Sequence, residues 1–428
     1  MNQFAPVYLT MILLATGVTS PVIASPETEN TQNAQNNLMY ILLTAEMALD
    51  RNLPKFALKQ FLLAADLSLD PKIAEEATSL AIQIQRPNEA LIGAKLWANK
   101  APNNLQAQLV AMTLLIGMSP DEAMSYLSRA FDIAPKDVEY QLIGIQLRLS
   151  DRSRKQLKVA LDNLAKQRTT DAYAQLAAAE SAAQLEDIQN ATLWVNSALK
   201  LSPNLTKAIE LKARLIRYQD ENDTEALAYL SRKVKEFSLD GELRLFYASA
   251  LIDAKQTKEA IQQLTQITED KVVGGEALIF LGEIYLKENK LQNYFETLQQ
   301  ALQFKSSKDT AAFLLGQLSE SQGKPKEAIQ WYSDISEGIY QLPAYIRAAS
   351  LLAANKEYDK AIQMLHNTEP TSWEEEKQLI LIELNILIEG NQLDQATQLI
   401  DAILPKISDE DLQKTLMRLK SNIKSAQN

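Results

Sequence analysis

The sequence predicts an all-α fold, a TPR-like superhelical solenoid of about eleven helix-turn-helix repeats with a C-terminal capping helix. Three observations carry that prediction. A small residue recurs as Ala57, Ala90, Ala123, Ala160, Ala191, Ala226, Ala260, Ala328, Ala361 and Ala396, with Tyr294 in the one remaining slot. The steps run 33, 33, 37, 31, 35, 34, 34, 34, 33 and 35 residues. Four residues after nearly every alanine stands a larger apolar side chain, from Phe61 through Leu127, Leu164, Val195, Leu230, Leu264, Leu298, Tyr332 and Leu365 to Ile400, Ala94 being the exception. Pro102, Pro135 and Pro203 each follow their alanine by 12 residues, where proline ends a second helix and sets the turn into the next repeat.

A small residue and a bulky one a helical turn apart, repeated near every ~34 residues, is the tetratricopeptide pattern. With each alanine taken as position 20, Leu278, Leu281, Gly282 and Tyr285 fill the four first-helix positions of that pattern, and the next repeat keeps Leu315, Gly316, Gly323, Ala328 and Tyr332. Small residues at the crossing points let two helix backbones approach, and the bulky ones fill the space beside them.

The first 24 residues carry no charge and are mostly apolar from Val7 to Val18. Small residues at Val22 and Ala24 then predict a signal peptide over 1–24, cleaved before Ser25. That stretch is too short and too broken by polar residues and proline to span a bilayer comfortably. Residues 25–37 are polar and unpatterned and read as a flexible tether. The repeat array then occupies 38–407. The steps of 37 and 31 around Ala160 sum to two ordinary repeats, which places an extended turn at Ser150–Ser153 and a displaced middle repeat. Over 408–428, Ser408-Asp409-Glu410-Asp411 opens like a capping box, and Leu412, Leu416, Leu419 and Ile423 follow on one face, as a terminal lid requires.

This accounting leaves no room for a separate catalytic domain, and the chain is read as a non-enzyme without cofactor or metal. It holds no cysteine and His366 alone among histidines, so the common nucleophile–base and metal arrangements are missing. Gly323-Lys324 resembles a phosphate loop superficially, but Pro325 stands where Ser or Thr is required. The absence of cysteine also removes disulfides and the sulfur on which bacterial lipoproteins are anchored. An exported, periplasmic protein with no stable membrane anchor is expected. A net charge of −11 from 43 basic and 54 acidic residues argues against general nucleic-acid affinity.

What remains is a groove. First helices of stacked hairpins line the concave side through positions near 2, 5, 9 and 12. The candidates for protein binding are Met39, Leu42 and Glu46 in the first repeat, then Glu242, Leu245, Ser249, Glu276, Ile279, Glu283, Gln317 and Glu320. Mixed apolar and acidic residues suit a partner segment carrying basic and apolar side chains, although acidic residues are also ordinary at exposed helical positions. Glu75-Glu76 reads as a solvated face. The basic run Arg148, Arg152, Arg154, Lys155 and Lys158 reads as a solvated turn or a docking patch for an acidic partner. Trp97, Trp194 and Trp331 read as packing between repeats.

The wording of the first repeats is more specific: LLTAEMALDRN at 42–52, FALKQFLLAADLSLDPKIAEEATSLA at 56–81 and ALIGAKLWANKAPNNLQAQ at 90–108. These stretches resemble the amino-terminal part of the gamma-proteobacterial outer-membrane tetratricopeptide lipoproteins. Those proteins are adaptors that bind and activate a carboxyl-terminal processing protease and help deliver its substrates. The chain departs from them in lacking the lipid-bearing cysteine and in being shorter at its carboxyl end. The resemblance implies a periplasmic scaffold whose partners are such a protease and its substrates, with no small-molecule substrate. The alternative is a structural or assembly component of an envelope machine, such as a pilus, a secretion system or outer-membrane assembly.

Overall fold

The free amides at the start of the first helices find partners in the residue just before them. Asp70, Asn104, Asp171, Asp240 and Ser372 each accept a hydrogen bond from a backbone N–H in the following turn. Several second helices start instead on proline, at Pro54, Pro87, Pro120 and Pro325, whose fixed φ suits a first helical position. In the computed structural model, which describes residues 26–219, 223–407 and 409–427, these signals resolve into twenty-three α-helices, with no strand among the described residues.

The chain divides into two compact units between Ser202 and Pro203. The first holds five consecutive helix pairs: α1 (Pro26–Asp50) with α2 (Pro54–Leu67), α3 (Pro71–Gln83) with α4 (Pro87–Lys100), α5 (Leu105–Leu115) with α6 (Pro120–Ile133), α7 (Pro135–Arg148) with α8 (Asp151–Gln167), and α9 (Ala172–Gln184) with α10 (Ile188–Leu201); α7 and α8 pack on α6 and α9 rather than on each other. The second unit opens with α11 (Thr206–Gln219) and α12 (Thr224–Glu236), α13 (Gly241–Asp253) and α14 (Thr257–Thr265), and α15 (Gly274–Lys287) and α16 (Leu291–Ala301). It continues with α17 (Lys308–Ser321) and α18 (Pro325–Ser333), α19 (Gln341–Ala354) and α20 (Tyr358–His366), and α21 (Trp373–Glu389) and α22 (Leu393–Ile403), and ends in α23 (Glu410–Gln427). Eleven helix-turn-helix repeats and a final helix are the architecture that the alanine spacing predicts.

The packing follows the register. None of the ten alanines, nor Tyr294, is more than 5% exposed, and the bulky residue four positions on is buried in every hairpin where it occurs. Burying each such side chain is worth about 1.5–3 kcal/mol. Where a tyrosine takes the alanine slot, as Tyr294 does, or the bulky slot four residues on, as Tyr332 does, the first helix supplies a glycine. A Cβ at Gly282 would lie 3.2 Å from the Tyr294 ring, and one at Gly316 would lie 2.4 Å from that of Tyr332.

Eight of the ten fully described turns inside helix pairs share one geometry. Asn52, Gln85, Glu186, Lys255, Asn289, Gly323, Lys356 and Asn391 all have φ between 56° and 71°, two residues before the second helix begins. The next N–H bonds back five residues in each case, as Leu53 to Ala48 at 2.8 Å and Lys324 to Ser319 at 2.9 Å, which satisfies a carbonyl at the end of the first helix. Carbonyls at the ends of second helices are met by side chains from the following repeat. Gln108 Nε2 donates to Ala98 O at 2.9 Å, Gln175 Nε2 to Ala165 O at 2.7 Å, and Ser307 Oγ to Ala301 O at 2.8 Å.

Three features differ from the sequence reading. Residues 26–37, expected as a tether, continue into α1 as helix. Pro26 starts it, and no later proline or glycine interrupts the run, so nothing in the backbone stops a helix that the packed segment from Leu38 onward nucleates. The displaced fourth hairpin has no extended turn. Ser150 caps α8 directly, and the additional residues lengthen α8 to 17 residues at its start. The first residue of the expected C-terminal capping box, Ser408, lies outside the described residues, as do the predicted signal peptide and Ser25. Asp409 performs the capping, accepting from the N–H groups of Asp411 at 3.0 Å and Leu412 at 2.9 Å. Leu412, Leu416 and Ile423 of α23 are buried against α21 and α22, as a lid requires.

Two outcomes are expected. Gly316→Ala should destabilise hairpin nine by about 1–3 kcal/mol through overlap with the fully buried Tyr332. Gly323→Ala, whose new Cβ meets nothing within 4 Å, should cost about 1 kcal/mol from its φ of +71° alone. Native-state hydrogen exchange in α17 and α18 separates the two. The lid should also respond to acid. Lys377 Nζ, 2.8 Å from Asp409, holds that carboxyl at about 2, below its ordinary 3.8. A depressed carboxyl stabilises the fold above its unfolded pKa and ceases to do so as pH falls through its folded value. Protection of α23 amides should therefore fall between about pH 4 and pH 2, and Asp409→Asn should remove that dependence.

Candidate protein-binding surfaces

The eleven groove candidates fall in two groups, one in each compact unit. In the first unit Met39 is 58% exposed, Leu42 is half-buried against its own and the next hairpin, and Glu46 is exposed. Glu46, at position 9 on α1, is close enough to Glu76, at position 6 on α3, for its charge to act on it. Partial burial raises both carboxyls above the ordinary 4.5. Asp50 raises Glu46 further, and Glu46 raises Glu76. Among the described residues neither makes an ion pair. Glu76 was read as a solvated face, and its partnership with Glu46 needed the stacking of α1 on α3 to be seen.

In the second unit the 34-residue shift lines the candidates up in rows. Glu242 and Glu276 occupy position 2 on α13 and α15 and are exposed. Ser249, Glu283 and Gln317 occupy position 9 on α13, α15 and α17, with Glu283 exposed and the other two half-buried. At position 5, Ile279 is half-buried, but Leu245 is 8% exposed and packs with Ala248, Leu264 and Leu281 in the core. Leu245 therefore belongs to the packing between α13 and its neighbours. Its counterpart two repeats further on is Phe313, half-buried with its ring 5.0 Å from that of Tyr340.

Glu320 is committed within the fold. Tyr332 Oη donates to its Oε2 at 2.9 Å, and Arg347 Nε donates to the same oxygen at 3.1 Å, so one carboxylate ties α17 to α18 and α19. Burial and the neighbouring Glu320 push the Tyr332 hydroxyl up to about 12, which keeps it protonated as a donor. A further carboxyl that sequence reasoning missed is Glu210 on α11. It is buried, raised above 4.5 mainly by that burial, held by Lys207 at 2.9 Å, and close enough to Glu242 to feel its charge. Its polarity at a position flanked by buried Ile209 and Leu211 was the available signal.

The other chemistry-bearing residues are structural or solvated. In the basic run, Arg154 pairs with Asp151 at 2.5 Å, and Lys158 bridges Asp162 at 3.0 Å and Asp187 at 2.8 Å. Arg148, Arg152 and Lys155 are exposed. His366, 60% exposed, contacts Glu383 at 2.9 Å. Gly323-Lys324 is the turn of a hairpin. Trp97 is buried, and Trp194 Nε1 donates to Asp162 at 2.8 Å. Among the described residues no group of three His, Asp or Glu side chains is placed to hold a metal, and no helix is long and apolar enough to cross a membrane.

No family profile matches the chain. It is 27% identical over 374 residues to the TPR repeat-containing protein PA4667 of Pseudomonas aeruginosa, an alignment covering 85% of this chain and 61% of that one. It is 30% identical over 153 residues to the TPR repeat-containing protein YpiA of Bacillus subtilis, covering 34% of this chain and 35% of YpiA. The chain thus spans less than two thirds of the length of either relative. Among solved structures, yeast Tom70 aligns over 92% of this chain and 96% of its own with 12% identity and a TM-score of 0.37. The names of both sequence relatives agree with the repeat architecture.

The Glu46–Glu76 pair makes a stability prediction. Two raised carboxyls disfavour the fold while ionised, so Glu76→Gln should stabilise the first two hairpins by a few tenths of a kcal/mol at pH 7 to 8. A folded-state pKa above the unfolded value means that the wild type recovers this deficit as pH falls through the raised range. The difference between the two proteins in thermal unfolding should therefore close in mild acid.

Proposed function

We propose that the chain is a non-catalytic protein-binding scaffold of the bacterial periplasm, exported by residues 1–24, that recruits and activates a carboxyl-terminal processing protease. The observation that carries the binding reading is the Glu46–Glu76 pair. Adjacent first helices hold two carboxylates together without a cation, beside the exposed side chain of Met39. A lysine, an arginine or a free amino terminus on a partner segment would relieve that repulsion and gain two charge-assisted hydrogen bonds. The rows through Glu242, Glu276 and Glu283 offer the same chemistry in the second unit.

The protease version draws support from the resemblance, whose most specific wording lies at 42–108, in the hairpins that carry Glu46 and Glu76. A scaffold of this kind works through binding energy. Holding enzyme and substrate on one array raises their effective concentration, and binding the active form of the protease better than its resting form shifts that equilibrium. Hairpins account for the described chain from α1 to α22, and α23 closes the last of them, which is consistent with an adaptor that brings no chemistry of its own.

Affinity capture from envelope extract with the full chain as bait tests this reading. It should retain a carboxyl-terminal processing protease, and adding the pure protein should raise the peptidase rate of that protease. The double change Glu46→Gln, Glu76→Gln should weaken the complex by about tenfold. Affinity should fall as pH drops through a range starting above 4.5, because protonation removes the charge that the cation needs. Retention of a membrane assembly without the protease would instead make the protein a component of an envelope machine.

A further inference from the structure

Among the described residues, nothing covers the face of the first hairpin whose counterpart in the second packs on its predecessor. Tyr40, Leu43 and Met47 on α1 are 70%, 56% and 52% exposed, and Phe56, Leu63 and Leu67 on α2 are 49%, 47% and 58% exposed. Their spacings of three, four and seven residues set each trio in one stripe along its helix. One repeat further on, the residues equivalent to Tyr40 and Met47 are Ile73 and Leu80, only 9% and 7% exposed. The residue equivalent to Leu67 is Lys100, whose Nζ reaches back 2.5 Å to Ser68 O of the preceding hairpin. Tyr40, Met47 and Leu67 therefore stand at positions where one hairpin meets the one before it, while Leu43 beside them corresponds to the exposed Glu76. The last hairpin is treated differently, since α23 covers it and turns Glu410, Asp411, Lys414, Arg418 and Lys424 outward.

We infer that this face of α1 and α2 is the interface of a homodimer, in which two first hairpins pack face to face. Six large side chains about half exposed present roughly 100 Å² each, on the order of 600 Å² per copy, close to the ~800 Å² per partner of a standard interface. The charges select a second copy and fix its orientation. Asp50 borders the apolar face along α1, and Lys55 and Lys59 border it along α2 on the opposite side. Among the described residues none of these three makes an ion pair within the chain. A two-fold axis parallel to the helices lays α1 of one copy on α2 of the other. Because α1 ends and α2 begins at the same turn, Asp50 then stands at the height of Lys55 and Lys59 of the second copy, and the contact occurs twice. An axis perpendicular to the helices would set acid against acid. The outer face of α23 is mostly charged and exposes one large apolar side chain, Met417, too little for a head-to-tail arrangement, so association closes at two copies.

Sedimentation equilibrium and light scattering on the full chain, from roughly 1 to 100 µM, test this. A dimer is expected, and Leu43→Glu with Phe56→Glu should weaken it by about a hundredfold while the circular dichroism stays unchanged. Lys55→Glu with Lys59→Glu should weaken it by about tenfold, and adding Asp50→Lys should recover part of the loss. That recovery distinguishes the charge pairing from a general loss of apolar contact. A wild-type chain that stays monomeric throughout overturns the inference and leaves the face to residues 1–25 or to another protein. A dimer that survives Leu43→Glu with Phe56→Glu overturns it equally.

Discussion

The structure depends on how closely two helices of a hairpin can approach. An alanine at the crossing point holds them at the short end of the ordinary interhelical range, and the large side chain one turn later fills the wedge that opens beside it. The same constraint explains the exceptions. Tyr294 takes the alanine slot only where Gly282 has vacated the facing helix, and the ring of Tyr332 lies where a side chain at Gly316 would be. Volume is conserved across the pair, and no single position conserves it alone. Each hairpin made this way has apolar residues on both flanks, and stacking on the next hairpin buries one flank of each.

Stacking of this kind uses three sides of most first helices and leaves the fourth to solvent, with α9, buried all round from Ala174 to Ala182, as an exception. Residues on that fourth side contribute little to folding, so their chemistry is free to serve binding. Glu46 and Glu76 illustrate the point, since together they oppose the fold while ionised. A group that weakens its own protein when unaccompanied is most simply explained by what accompanies it in use. Glu320 shows the opposite case. Its carboxylate sits in a comparable register, but Tyr332 and Arg347 claim it for the contact among α17, α18 and α19.

The repeat count, the hairpin boundaries and the lid were legible because one alanine and one bulky residue per repeat mark the crossing of two helices directly. The candidate surface was less legible. Periodicity states which side of a helix is polar, but it leaves open a rotation of some tens of degrees, and that rotation decides whether position 5 is Leu245 in the core or Ile279 at its edge. Contacts between repeats, such as Glu46 with Glu76, depend on the stacking offset, which no single hairpin encodes. The turns were also silent in sequence. Seven of the eight positive-φ residues in these turns are not glycine, and their conformation follows from the demand for the backbone hydrogen bond that closes the first helix. At the amino terminus, polar composition suggested a tether, whereas helix simply propagates outward from the packed part of α1.

The central claim is that the exposed side of the first helices is the binding surface. Hydrogen–deuterium exchange on the full chain, alone and saturated with the captured partner, tests it most directly. New protection concentrated on α1, α3, α13 and α15, with the second helices unchanged, is the result this account predicts. Protection confined to α2, α4, α14 and α16 would contradict it and move the function to the opposite side of the array.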